Sequence, residues 1–216
     1  MQIGNSPEKI IKKCDPEIKS VCYKCNEGWM HDLENKVKPT MGCLVQDVAL
    51  TLDAQQQTDI AVWSTKVAMV FDSTVASIRP LYYSAEDRLQ LRLSSAIPNR
   101  TTVWLGRFSL SSLLITGSTL RGDVDGVTGA THNCVTTIVV GHLAIQVFTI
   151  YPIPAYQKSP PAFSPKPGLW DGLLTQTWPI ISKKNWPPPL TFTNDRGSLT
   201  IARLYDRWKM GRKTPV

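Results

Sequence analysis

The apolar residues of this chain change their spacing at Thr101. Before it they recur every three or four residues, the period of an amphipathic helix; beyond it they alternate or run together in short blocks, as strands do. Trp29, Leu33 and Val37 fit the first pattern and predict a helix from about Gly28 to Val37. Pro39 is expected to end it, because its ring cannot continue the helical ladder. Just upstream, Val21–Met30 reads as a strand ending in a turn at Cys22-x-x-Cys25. A second helix has the clearest start. Asp53 is a good N-cap, Gln56 completes a capping-box pattern, and Ile60, Trp63, Val67, Val70 and Phe71 form an apolar stripe running to about Asp72. Ser84 and Asp87 suggest a third start, with Leu89 and Leu93 on the buried side. Leu89, Leu91 and Leu93 also alternate like a strand, and Pro98-Asn99 closes the element.

The second half reads as β structure. Val103–Leu105 with Phe108, Leu113–Thr119, Val135–Val140 and Leu143–Tyr151 are predicted strands, the last two antiparallel around Gly141-His142. Gly122–Gly129 is rich in glycine and aspartate and reads as a loop. Pro152–Gly168 reads as irregular, Leu173–Ile180 as one more strand, and Trp186-Pro187-Pro188-Pro189 as a stiff polyproline-like stretch. Gly197-Ser198 is expected to open a last helix to about Met210, with Leu199, Ala202, Leu204, Tyr205 and Trp208 available to pack. Met1–Ser20 is polar, carries Pro7 and Pro16, and resembles an extended arm. The class implied is α+β: two or three helices, then a mostly antiparallel sheet and a C-terminal helix. No internal repeat is visible.

Length changes this picture little: 216 residues suffice for one large domain, or one with a small appendage. Charge adds more. The net charge of +7 is not spread evenly. Residues 1–50 and 51–150 each carry 7 basic against 7 acidic side chains, whereas residues 151–216 carry 10 against 3 and 11 of the 16 prolines. A basic, proline-rich segment suits DNA, RNA or another acidic partner, or simply keeps the protein solvated. Lys183, Lys184, Arg203, Arg207, Lys209, Arg212 and Lys213 are the candidate nucleic-acid-binding residues.

Five unevenly spaced cysteines, Cys14, Cys22, Cys25, Cys43 and Cys134, make a poor disulfide framework. Met1–Lys13 has no apolar run of the kind that opens a signal peptide, so a cytoplasmic location is expected. Cys134–Ile150 lacks charged residues, but Gly141-His142 and Gln146 interrupt it. Two buried strands explain it better than a membrane span.

The chemical signature is Cys22-x-x-Cys25. Two thiolates at this spacing suit a tetrahedral zinc ion, which needs four ligands. The surrounding residues, Cys22-x-x-Cys25-Asn26-x-Gly28-Trp29-Met30 with Leu33-Glu34, then Asp53-Ala-Gln-Gln56-Gln57 with Trp63 and Lys66, resemble a bacterial family of HNH-endonuclease-like proteins. Val103-Trp104-Leu105-Gly106-Arg107, Gly141-His142-Leu143 with Gln146-Val147, Trp178-Pro179 and Trp186-Pro187-Pro188 are also similar to it, so the likeness runs along nearly the whole chain from Val21. It implies a truncated ββα-metal-like N-terminal element, with the arm and the HNH-like remnant in residues 1–50 and an α+β domain in residues 51–216. Members of that family carry a first CxxC and a Glu-His-x-x-Pro strand ahead of the motif seen here, and neither is present in this sequence. By the resemblance, Asn26 matches the metal-facing Asn or His. The histidine that would act as general base has no counterpart, so no catalytic residue is assigned.

Cys14 and His31 are the candidates to complete a Cys₃His zinc site with Cys22 and Cys25, or two chains could each contribute the Cys22–Cys25 pair to one shared ion. Cys43 and Cys134 lie in apolar runs and read as core. His132 and His142 flank predicted strands and read as structural, since no spacing rule joins them to Asp123 or Asp125. Asp123-Val-Asp125-Gly126 lacks the later ligands of a calcium loop. No phosphate-binding glycine loop and no Gly-x-Ser-x-Gly elbow occurs. Three functions remain. The first is a nucleic-acid-associated HNH relative without cutting activity of its own. The second is a metal-dependent nuclease completed by upstream sequence or by a partner. The third is a non-enzymatic interaction module, alone or as a homodimer, that packs a partner with Trp170 to Trp186.

Overall fold

The computed structural model describes residues 21–74, 80–109, 115–126, 129–152 and 173–192. Helical elements come first: a three-residue turn α1 (Tyr23–Cys25), a π-helical turn (Asn26–Met30), α2 (His31–Val45), α3 (Ala54–Ser73) and α4 (Ala85–Ser94), with strand β1 (Leu50–Leu52) between α2 and α3. Then follow β2 (Thr101–Phe108), β3 (Ile115–Gly126), β4 (Gly129–Val140), β5 (Leu143–Pro152), β6 (Leu174–Trp178), β7 (Lys184–Trp186) and β8 (Thr191–Phe192). The strands β3-β4-β5-β2-β6 form one antiparallel sheet, which β8 joins by pairing parallel to β2. β1 and β7 form a separate antiparallel pair. The fold is mixed α+β with a mostly antiparallel sheet, as the change of period at Thr101 implies.

α3 organises the core because its start is fixed locally. Asp53 Oδ1 accepts from the Gln56 N–H at 2.8 Å, and Gln56 Oε1 accepts from the Asp53 N–H at 3.0 Å. These two bonds satisfy amides that the first helical turn leaves open. The helix is buried on more than one side. Ile60, Ala61, Ala68 and Met69 meet Val103, Leu105, Ile145 and Val147 of the sheet, while Trp63, Val67 and Phe71 are only partly buried at the edge of the same cluster. The opposite face of the sheet buries Val135, Phe148 and Ile150 in one cluster and Phe108, Val139 and Ala144 in another. β5 is therefore buried on both faces, which explains the absence of charge in Cys134–Ile150.

Several expectations are corrected. The CxxC segment is helical rather than a strand ending in a turn: the Cys25 and Asn26 amides both donate to the Cys22 carbonyl at 3.0 Å. The next helix runs through Pro39 to Val45. Pro39 removes one backbone donor, but Leu44 beyond it is fully buried and Met41 and Val45 pack on the core. Burial of about 1.5–3 kcal/mol per large apolar side chain offsets a helix-interior proline cost of about 3 kcal/mol. α4 is a helix, capped by Ser84, but it turns its other side inward: Leu91 is buried, whereas Leu89 and Leu93 are exposed. The segment expected to be a loop at Gly122–Gly129 belongs mostly to a long hairpin, with β3 reaching Gly126 and β4 starting at Gly129. Continuous backbone pairing overrides the local turn signal there. The strand expected at Leu173–Ile180 is present as β6. The Trp178–Pro179 and Trp186–Pro187 peptide bonds are cis. The arm Met1–Ser20 and the helix expected at Gly197–Met210 lie outside the described residues.

Candidate metal centre at the head of helix α2

Cys22 has extended backbone angles (φ −71°, ψ 150°), and the chain turns helical immediately after it. That change of direction brings Cys22 and Cys25 to one side of a single turn. Cys22 is exposed and Cys25 is half-buried. Their thiols interact. The Cys22 thiol is held below its ordinary range, first by a hydrogen bond from the Cys25 thiol and then by the Cys25 backbone amide. The Cys25 thiol is pushed up, first because it is the donor in that bond and then by burial. The guanidinium of Arg92, on α4, favours the thiolate of each. The Trp29 indole N–H also favours the Cys25 thiolate. That buried N–H has no hydrogen-bond partner among the described residues.

Of the expected ligands among the described residues, only these two come together. His31 stands exposed on the first turn of α2 and lines a groove of about 400 Å³ with Glu34, Asn35, Val37, Lys38, Met41 and Trp63. Among the described residues, no group of three or more His, Cys, Asp or Glu side chains is placed to hold a metal ion. His31 is not grouped with the pair among the described residues, and Cys14 lies outside them. A tetrahedral zinc ion takes four ligands, so the pair fits half of such a site. Asn26 is exposed, and its Nδ2 donates to Glu27 Oε1 at 3.2 Å. Cys134 is fully buried on β4, as expected of a core cysteine, while Cys43 is half-buried.

The remaining candidates are scattered. Lys183 is exposed, and Lys184 is half-buried on β7 across from Leu52. Arg203, Arg207, Lys209, Arg212 and Lys213 lie outside the described residues. His142 is structural: its Nδ1 lies 2.9 Å from the Phe108 carbonyl and its backbone amide donates to the Val45 carbonyl at 3.1 Å. The backbone register sets His132 of β4 directly across from Asp123 of β3, a pairing that their sequence spacing does not reveal.

Two features escape the sequence reading. Arg92, on α4, acts on the thiols through its charge alone, and no spacing rule links it to Cys22. Lys66 is almost buried on α3; its Nζ lies 2.5 Å from Glu34 Oε1 and 5.8 Å from the centre of the Trp63 ring. One signal was available in principle, since Lys66 falls inside an otherwise apolar helical stretch and needs a partner.

Compared with known proteins, the chain matches no family model, no curated protein sequence and no solved structure. Among the described residues, no helix is long and apolar enough to cross a membrane.

Proposed function

We propose that this chain is a nucleic-acid-associated protein of the HNH-like kind that does not cut by itself. The observation that carries the reading is the single helical turn ahead of α2, on which Cys22 and Cys25 stand together. Cys22 and Cys25 are the side chains that would hold zinc, and zinc there would act as a structural staple. Exposed Lys24 lies between the two thiols in sequence, and exposed Lys183 belongs to the basic segment 151–216. Side chains of this kind contact phosphates without reading bases. No cleavage step is assigned to the chain. Asn26, the one position matching the HNH set, is engaged with Glu27.

Fluorescence anisotropy with single- and double-stranded DNA and RNA, over a series of salt concentrations, tests this reading. Binding is expected to weaken steeply as salt rises. Replacing Arg92 or Lys183 by alanine should reduce the slope of log K against log salt by about 1 for each phosphate no longer neutralised. No binding, or binding indifferent to salt, would overturn the association. Cleavage by the purified chain with Mg²⁺ or Mn²⁺ would overturn the non-cutting part and restore the nuclease reading.

A further inference from the structure

We infer that the groove lined by α2 and by Trp63 of α3 takes one nucleotide of a single-stranded nucleic acid, with the base against the indole and the flanking phosphates on Lys38 and His31. The inference rests on the nucleic-acid association proposed above and adds where the strand is held. The groove, of about 400 Å³, falls within the ~300–1,000 Å³ typical of small-ligand sites. Its lining combines two kinds of side chain. Val37, Met41 and the half-buried Trp63 give an apolar and aromatic surface, whereas His31, Asn35 and Lys38 are exposed and polar. Lys38 lies two turns beyond His31, about 10 Å along the axis of α2, with Asn35 between them.

Charge and bracing set what the groove accepts. Glu34 is the acidic side chain of the lining, and the almost buried Lys66 ammonium neutralises it at 2.5 Å. The Lys38 ammonium and the His31 imidazole are left to meet an anion. Lys66 Nζ also lies 5.8 Å from the centre of the Trp63 ring, which helps to hold the indole in place. A second ion pair, Lys36 Nζ to Asp59 Oδ1 at 2.7 Å, ties the same two helices, so both walls stand before a ligand arrives. A chain of phosphates and planar bases uses every part of this lining. The base stacks on the indole, the Asn35 amide can both donate to and accept from the base edge, and the phosphates take the cationic and imidazole groups. An acidic peptide would leave the indole unused. A base inside a duplex is stacked between its neighbours and cannot reach Trp63, so the single strand is the form that fits.

The test uses the full chain and a fluorescently labelled single strand of thymidylate. Anisotropy compares it with an abasic strand of the same length, which keeps the phosphates and lacks the bases. The abasic strand is expected to bind about tenfold more weakly. A strand carrying 5-iodouracil, crosslinked by light, should attach to the peptides that hold Trp63 or Met41, as read by mass spectrometry. Lys38→Ala, at an exposed position, should lower the slope of log K against log salt by about 1. Asn35→Ala should weaken the thymidylate strand and leave the abasic strand unchanged. Trp63→Leu keeps an apolar side chain on the core and should abolish the difference between the two strands, with circular dichroism showing that the fold persists. Equal binding of the two strands, crosslinks confined to other peptides, or tighter binding of a polyglutamate peptide than of the thymidylate strand would each overturn the inference. The same titrations separate the two readings. Salt-sensitive binding of duplex and single strand alike, indifferent to Trp63→Leu, overturns only the groove, whereas no binding of any nucleic acid overturns both.

Discussion

Two glycines show how much the surroundings of a single Cβ matter. A Cβ at Gly106 on β2 would lie 2.8 Å from Phe192 Cε2 and 2.9 Å from Leu174 Cδ2, with the Leu173 carbonyl at 3.2 Å. Gly42 lies inside α2, and a Cβ there would meet nothing within 4 Å. Gly106→Ala is therefore expected to lower stability by about 1–3 kcal/mol through overpacking. Gly42→Ala should raise it by about 0.5–1 kcal/mol by stiffening the helix. Urea denaturation of both variants should show midpoints moving in opposite directions. The Cys22 thiol offers a second check at this scale. In zinc-free protein its alkylation should switch on at lower pH than that of an ordinary thiol, because the Cys25 thiol hydrogen-bonds to it. Cys25→Ala removes that donor and should move the midpoint upward, as read by mass spectrometry of the Cys22 peptide. An unchanged midpoint would mean that Arg92 or the local backbone sets the Cys22 acidity.

α4 is tied to the sheet by buried hydroxyl groups. Tyr83 is fully buried, with its hydroxyl 3.2 Å from Thr149 Oγ1. The Tyr151 hydroxyl donates to Asp87 Oδ2 at 2.8 Å, and the same Asp87 caps α4 with Ser84. Burial pushes both phenols above their ordinary range, and for Tyr151 the bond to Asp87 adds to it. The sign follows directly. The unfolded chain releases these protons at about pH 10, whereas the folded chain retains them. Their contribution to stability is thus complete below about pH 10 and is lost as pH rises further. Thermal melts should fall more steeply above that pH than they do in Tyr83→Phe, which lacks one of the two ionisable groups; parallel curves would count against this account. The elements differ in how much their residues disclose. α3 is legible because the Asp53–Gln56 box is a local signal, and β4 and β5 because burial on both faces leaves a charge-free run. The inward side of α4 is not legible: Leu89 and Leu93 lie one turn apart on one flank and Leu91 on the other, so which flank meets the core depends on Tyr83, Asp72 and the sheet. The persistence of α2 beyond Pro39 depends in the same way on what Leu44 finds to pack against.

Across the whole molecule, long-range pairings set what the sequence conceals. The parallel contact of β8 with β2 and the β1–β7 pair join residues far apart in the chain. Periodicity does not register such contacts. The Cys22–Cys25 pair is legible as a motif, while the groove that His31 lines is visible only in the structure. At its other end α2 meets the sheet. The Val45 carbonyl accepts from the His142 amide, and Gly141, at φ +55°, approaches so closely that a Cβ would lie 2.8 Å from the same carbonyl. β4 and β5 need only a two-residue turn to meet, whereas this junction closes a loop of about a hundred residues, which carries a larger entropic cost. The order of assembly follows from that difference. The hairpin is expected to form before the rate-limiting barrier and α2 to latch onto its turn after it. Gly141→Ala should then quicken unfolding while leaving the refolding rate nearly unchanged in a stopped-flow chevron, with the latch breaking first whenever the molecule opens.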